Sequence, residues 1–301
     1  TVAPDDVGPI GMQTKNGVVD VAVKDEAEAV AVTAKLLANF QGDIDPVEPP
    51  DQSRLAEIIP ERRRRAYDVG PLVETFADTG SAVFLRDAFA PEMVTAFIRI
   101  EGRAVGVIAN NPMHMAGAIT SEGADKAARL LQLCDAFGIP VLFLVDTPGM
   151  MVGPEAEATG LVRHCSRLLV AGASLSVPFV AVITRRGYGL GAQAMVAGSL
   201  HEPLLTVAWP SAELGPMGLE GAVRLGMRRE LEKIEDDAER ERPVIELTEM
   251  ALENAKALHA PSLFELDDVI DPADTRRMVS STLAAAATRG PRPPRRFVDT
   301  W

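Results

Sequence analysis

The sequence predicts an α/β protein built around a largely parallel sheet. Three observations carry this. From Met93 onward, strand-length apolar runs alternate with helical segments. The runs are apolar almost throughout rather than at every second residue, as strands buried on both faces are. Each run ends at a turn marked by Gly, Pro or Asn. With 301 residues, 47% of them hydrophobic, the chain can bury a sizeable core, as one large domain or as one domain with an appendage.

In chain order, residues 25–40 (DEAEAVAVTAKLLANF) read as a helix with acidic residues in its first turn, where the helix end is positive. Residues 42–53 (GDIDPVEPPDQS) have the Pro and Asp content of a linker. The basic run Arg62-Arg63-Arg64-Arg65 reads as a solvated face, with holding of ligand phosphates as the alternative. It leads into a helix at 70–78. Strands at 94–100 and 103–109 are joined by the turn Glu101-Gly102. A helix at 123–137 follows, with Ser121 or Thr120 available as its cap. Phe137-Gly138-Ile139-Pro140 closes it and opens the strand 141–145. A second helix covers 155–173, and 179–184 is the next strand. A third helix starts near Gly191, and 204–208 is a further strand.

Composition excludes some function classes. A net charge of −13 argues against a broad nucleic-acid or anionic-membrane surface. The two cysteines, Cys134 and Cys165, sit in apolar helical patterns and read as buried reduced thiols of a cytosol-like compartment, not as a disulfide or metal site. No apolar run reaches a membrane-spanning length and no signal peptide is visible, so a cytoplasmic protein without a membrane partner is expected. The chain begins at Thr1 without an initiator methionine, as a processed, cropped or partial polypeptide does.

In an α/β fold, chemistry collects where strands end and helices begin, because free backbone N–H groups point outward there. Three such turns stand out: Asn110-Asn111-Pro112, Asp146-Thr147-Pro148-Gly149, and Arg186-Gly187-Tyr188-Gly189-Leu190-Gly191-Ala192. A hydrophobic strand running into Asp-Thr-Pro-Gly resembles the γ-phosphate sensor of GTPases. Phosphate binding of that type needs a Gly-rich loop ending in Gly-Lys-Ser/Thr. None of the six lysines directly follows a glycine, and no Asn-Lys-x-Asp sequence is present, so the GTPase reading fails.

The third turn is more informative. Gly187, Gly189 and Gly191 let the backbone approach a ligand closely, and small residues continue into the helix at Ala192, Ala194 and Ala197. Two adjacent N–H groups at such a start can hold a developing negative oxygen, as an oxyanion hole does. The alternative is that these glycines only permit close helix–strand packing. Side chains offer no rival catalytic set. Of four histidines, His114 and His164 lie near the turns and His201 and His259 in loop or surface contexts; His164 reads as a satisfied helix residue. There is no Gly-x-Ser-x-Gly, His-Glu-x-x-His or Cys-x-x-Cys pattern. An active site of backbone amides would need a substrate or cofactor that brings its own acid and base.

A run of motifs then resembles one family, the carboxyltransferase (β) subunits of biotin-dependent acyl-CoA carboxylases. These motifs are Asn110-Asn-Pro-Met-His-Met-Ala-Gly-Ala118, Leu131-Gln-Leu-Cys-Asp-Ala-Phe-Gly-Ile-Pro140, Asp146-Thr-Pro-Gly149 and Ile183-Thr-Arg-Arg-Gly-Tyr-Gly-Leu-Gly-Ala192. Ala208-Trp-Pro-Ser-Ala-Glu213, Met217-Gly-Leu-Glu-Gly-Ala222 and Asp268-Val-Ile-Asp-Pro-Ala-Asp-Thr-Arg-Arg277 continue it, in order, between about residues 54 and 288. The resemblance implies a crotonase-like superhelix of β-β-α units, with two such domains per family subunit. The N-domain mainly holds acyl-CoA and the C-domain mainly receives carboxybiotin, and the active site lies between domains of different subunits. This chain resembles the C-domain, the biotin-side half. Residues 1–41 resemble only the tail of an otherwise missing N-domain, 42–53 the linker, 54–290 the C-terminal domain, and 291–301 a Pro/Arg-rich tail serving as an extended arm or subunit contact.

The implied reaction transfers a carboxyl group from N-carboxybiotin, carried on a carrier protein, to the α-carbon of a short acyl-CoA of the acetyl or propionyl type. CO2 is released beside the α-carbon, the biotin ureido nitrogen takes the α-proton, and the enolate attacks CO2. Negative oxygens develop on the ureido group and on the thioester enolate, and each needs preorganised N–H donors. The turn at 189–192 matches the family's C-domain hole on the biotin side, but Leu190 interrupts the common Gly-Gly-Ala pattern. Aligned without a gap, the donors are the amides of Leu190 and Gly191; aligned on Gly-Ala, they are those of Gly191 and Ala192. Gln193 matches a position that lines the acyl pocket, with a solvent-facing helix residue as the alternative. Gly149 and Met150, with Met151, are expected to wall the same cavity, or else to fill core. The implied partners are a biotin carboxyl carrier or biotin carboxylase subunit and the missing half, or a second carboxyltransferase chain, in a homo- or hetero-oligomer. The rival readings are a related biotin-dependent decarboxylase coupled to a membrane partner, and a non-catalytic subunit that keeps the fold to bind a partner.

Overall fold

The apolar runs pair into one eight-stranded sheet, described here from a computed structural model for residues 2–63, 65–258, 266–287, 293, 298 and 299. The chain opens with α1 (Ile10–Lys15) and α2 (Glu26–Ala38), the latter capped by the Asp25 carboxylate accepting the Glu28 N–H. Two short helices follow, α3 (Leu55–Ile58) and α4 (Gly70–Phe76). The central elements are β1 (Val83–Leu85), β2 (Met93–Ile100), β3 (Arg103–Asn110), α5 (Ser121–Phe137), β4 (Val141–Thr147), α6 (Pro154–Ala158), α7 (Leu161–Ala173), β5 (Phe179–Tyr188) and α8 (Gly189–Ala194). Then come β6 (Thr206–Ala208), β7 (Glu213–Gly215), α9 (Leu219–Gly226), α10 (Arg228–Leu231), α11 (Asp237–Ala255), β8 (Asp268–Val269) and α12 (Thr275–Ala287).

The strand order is β1-β2-β3-β4-β5-β6-β8, with β7 paired to the far end of β5. β1, β2 and β3 are antiparallel neighbours; from β3 onward every pairing is parallel. The near-continuous apolar character of the strands is explained by burial on both faces. On β4, Val141, Phe143 and Val145 face a cluster with α5 and α7, while Leu142 and Leu144 face one with α3, α4 and α12. α5 is capped by Thr120, whose hydroxyl accepts the Gly123 N–H, and closed by Gly138 in the left-handed region.

Several boundaries differ from the sequence expectation. The helix expected over 155–173 is two helices, because Gly160 takes a left-handed conformation (φ 76°) between α6 and α7. The strand expected at 179–184 runs on to Tyr188, the helix expected near Gly191 starts at Gly189, and the strand expected from 204 starts at Thr206. The helix expected over 70–78 stops at Phe76, because Asp78 is drawn away. Its carboxylate accepts the Glu101 N–H (3.0 Å) and the Gly102 N–H (2.8 Å) of the β2–β3 turn, and the Arg276 guanidinium of α12 (2.5 Å). The segment expected as linker is seated on that same turn, with the Ile44 N–H donating to the Gly102 carbonyl. Both cysteines are buried and free. His259, Arg64, residues 288–290 and most of the tail at 291–301 lie outside the described residues. Among the described residues, no helix is long and apolar enough to cross a membrane.

Asp78 is 1% exposed and bonds one helix to one hairpin through a single carboxylate. Asp78→Ala would strand the Arg276 charge in the core. A loss of about 3–5 kcal/mol is expected, read as a lower urea midpoint with an unchanged slope.

Candidate active site

The first and second turns are built around the end of β4. The Asp146 N–H donates to the Asn110 side-chain oxygen (3.2 Å), whose amide nitrogen in turn donates to the Gly117 carbonyl (3.2 Å). Beyond the strand, the Thr147 hydroxyl accepts the Gly149 N–H (3.1 Å), and Gly149 turns with φ +127°. The next residues lie along Ile119, which donates to the Gly149 carbonyl and accepts the Met151 N–H. The third turn stands beside them. Tyr188 ends β5 in extended geometry, Gly189 reverses the chain with φ +57°, and α8 begins. A side chain at Gly189 would strike the Pro216 carbonyl.

The decisive contact is between backbones. A Cβ at Gly191 would lie 2.6 Å from the Gly149 Cα and 3.1 Å from the Met150 nitrogen. The Asp-Thr-Pro-Gly and Gly-Leu-Gly-Ala segments therefore form one site wall, although about forty residues separate them. Of the residues singled out from sequence, Gly149, Met150, Gly189, Leu190, Gly191 and Ala192 come together here. Gly191 and Ala192 are buried, Gly149, Met150 and Gly189 half-buried, and Leu190 is 66% exposed. Gln193 is exposed, one residue further along α8. The N–H groups of Gly189, Leu190 and Gly191 belong to the first turn of α8, so no carbonyl of that helix lies one turn behind to receive them. Such amides can receive an oxygen that gains negative charge.

The charged side chains beneath the turns are paired with one another and with backbone carbonyls. The Asp146 carboxylate, 1% exposed, accepts Arg185 Nε (2.8 Å) and Arg186 Nε (2.7 Å). Arg185 also donates to the Arg65 carbonyl (2.8 Å) and lies over the Tyr67 ring, and Arg186 donates to the Ala116 carbonyl (2.8 Å). The Glu213 carboxylate accepts Arg63 Nε (2.7 Å) and the Tyr188 hydroxyl (2.5 Å). Arg63 is thus half-buried and paired, unlike its exposed neighbours Arg62 and Arg65. These ion pairs escaped the sequence reading; the Arg-Arg pair that follows an apolar strand is the signal that could have found them. His164 is a satisfied helix residue, with Nδ1 2.7 Å from Asp125 and Nε2 3.0 Å from Arg163, and His114 lies exposed in the first turn. Among the described residues, no group of acidic, histidine or cysteine side chains could hold a metal ion. A cavity of about 520 Å³, lined by Phe40, Arg103, Asp135, Phe137 and Leu283, opens at the opposite end of the sheet, where β3, β4 and β5 begin. Ligands of parallel sheets bind at the other, carboxyl end, so the open turns rather than this cavity are the candidate site.

Residues 6–298 match the family model described as the carboxyl transferase domain. The chain belongs to that family. The methylmalonyl-CoA carboxyltransferase 12S subunit of Propionibacterium freudenreichii subsp. shermanii is 34% identical over 284 residues, 91% of this chain and 53% of the relative. The biotin-dependent acetyl-/propionyl-coenzyme A carboxylase beta6 subunit of Mycobacterium tuberculosis is 37% identical over 292 residues, 94% of this chain and 60% of the relative. Among solved structures, a single-chain, multi-domain long-chain acyl-CoA carboxylase matches with a TM-score of 0.88 and 46% identity, over 94% of this chain and 28% of that one. The transcarboxylase 12S hexamer with methylmalonyl-CoA and methylmalonic acid bound matches at 0.83 and 32%, over 98% and 57%. The fold is the crotonase-like one of these carboxyltransferases. This chain spans about half the length of the curated relatives it matches.

Two outcomes are expected from this geometry. Gly191→Ala forces the two turns apart and should cost about 1–3 kcal/mol by denaturant unfolding. Burial, followed by the charge of Asp146 for Tyr67 and the Glu213 hydrogen bond for Tyr188, raises the pKa of both hydroxyls well above the ordinary value of about 10. The unfolded chain therefore loses these protons first. The stability they confer is complete below about pH 10 and falls as pH rises above it. Tyrosinate absorbance should then appear only together with loss of circular dichroism, since the chain has two tyrosines in all.

Proposed function

We propose that this chain supplies the biotin-facing half of a carboxyltransferase. The enzyme moves the carboxyl group of N-carboxybiotin, borne on a carrier protein, to the α-carbon of a short acyl-CoA of the acetyl or propionyl type. The observation that carries this reading is the open first turn of α8, seated by Gly191 on the Gly149–Met150 backbone. In this reading the amides of Leu190 and Gly191, or of Gly191 and Ala192, hold the ureido oxygen of biotin as the nitrogen beside it loses the carboxyl group. An oxyanion hole of this kind commonly lowers a barrier by about 3–4 kcal/mol per donor. The residues fit such a substrate, because the donors are backbone groups beside the exposed apolar Leu190 and no buried side-chain charge at the turns lacks a partner.

Gly149 and Met150 wall the cleft, and the exposed Gln193 faces the acyl side. The acyl-CoA half comes from residues 1–41 joined to a preceding N-domain, or from a second chain, within a homo- or hetero-oligomer that also engages a biotin carboxyl carrier or biotin carboxylase subunit. The names of two curated relatives, methylmalonyl-CoA carboxyltransferase and acetyl-/propionyl-coenzyme A carboxylase, support a short acyl chain, whereas the solved structure at 46% identity is that of a long-chain acyl-CoA carboxylase. Two buried, unpaired thiols suit the reducing cytoplasm, and fatty acid metabolism is the setting in which such a ligase would act.

The test runs the reaction backward, measuring malonyl-CoA-dependent carboxylation of free biocytin, with acetyl-CoA as the other product. Turnover is expected when this chain is mixed with the half that binds acyl-CoA, and none with this chain alone. Two folded, associated halves without turnover would overturn the reading in favour of a subunit that only binds a partner.

A further inference from the structure

β4 and β5 do not run in simple register. They pair residue for residue from Val141 with Phe179 to Val145 with Ile183, and the next pair is Thr147 with Gly187. One residue of β4, Asp146, therefore stands opposite three of β5: Thr184, Arg185 and Arg186. Bulges re-aim the chain that follows them, and charged side chains buried in one are retained only where they find partners. Here the partner is one carboxylate. Asp146 accepts Arg185 Nε at 2.8 Å, Arg186 Nε at 2.7 Å and the Arg186 N–H at 3.2 Å. The side chains of Asp146, Arg185 and Arg186 are 1%, 4% and 14% exposed.

The bulge decides where the glycine turn stands. With unbroken register Thr147 would face Arg185, and Gly187 with all that follows would lie two residues, about 7 Å, further beyond the end of β4. Gly191 would then miss Gly149, and the first-turn amides of α8 would have no wall beside them. We infer that Asp146 is a positioning residue for carboxyl transfer: by gathering Arg185 and Arg186 into the bulge, it sets the height of the Leu190, Gly191 and Ala192 amides against Gly149–Met150. The inference rests on the reading of that turn as the biotin-side oxyanion site.

The test uses the two-half mixture and the biocytin assay, with wild type, Asp146→Asn and Arg186→Gln. Arg186→Gln removes one arm of the clamp and keeps the buried Asp146–Arg185 pair, so it tests the idea even if Asp146→Asn does not fold. For each variant that folds by circular dichroism, kcat should drop by about 10-fold or more while KM for malonyl-CoA stays within about 3-fold, since misplaced donors weaken the transition state more than ground-state binding. A merely structural role would leave the kcat of the folded variants near wild type. Folded variants with kcat within about 2-fold of wild type would overturn the inference while leaving the oxyanion reading intact. A wild-type mixture without turnover would overturn the reading, and the inference with it.

Discussion

Everything at the carboxyl end of this sheet depends on two backbones meeting without side chains between them. Gly191 leaves room for Gly149, and this contact turns two separate strand ends into one wall. Such an approach buries peptide groups, and buried peptide groups must be hydrogen-bonded. The surrounding turns meet that demand locally. Thr147 serves Gly149, Ile119 serves the Gly149 carbonyl and the Met151 N–H, and Asn110 serves Asp146 and Gly117. The first turn of α8 is the exception by construction, since the N–H groups at a helix start have no carbonyl one turn behind them.

Holding those strand ends in place requires buried charge, which is costly unless paired. At these ends Asp146 and Glu213 carry it, and at the opposite end of the sheet, at the turn into β3, Asp78 does. Each accepts from more than one donor, and each bridges segments far apart in sequence. Asp78 fastens the β2–β3 turn to α12, Asp146 fastens β4 to β5, and Glu213 fastens β7 to Tyr188 and Arg63. The apolar clusters on the two faces supply most of the driving force for folding, but they do not specify how far each strand projects. The carboxylates do.

The sequence made the fold class and the site turns legible, because strands buried on both faces write themselves as apolar runs and tight turns as glycines. β4 and the first half of β5 could be read from Val141, Leu142, Phe143 and Phe179, Val180, Ala181 alone. The second half of β5 could not. Arg185 and Arg186 look like surface residues until Asp146, some forty positions earlier, is known to face them. β7 was hidden for a related reason: Glu213, Leu214 and Gly215 show no strand pattern and pair only because β5 projects past its neighbours. Arg63 looked like part of a solvated run, and its partners Glu213 and Tyr188 lie on elements no local window contains.

The bulge opposite Asp146 has an evolutionary corollary. A turn that presents main-chain N–H groups places little demand on an exposed side chain that carries one of them, such as Leu190. Chain length is another matter. Between Ile183 and Gly189 a single inserted or deleted residue would rotate the following side chains to the wrong face of the sheet and lift the amides off their wall. Drift in this segment should therefore leave its count fixed, with Arg185 and Arg186 held by Asp146 and Gly189 by the Pro216 carbonyl, the reverse of what is expected of a surface loop.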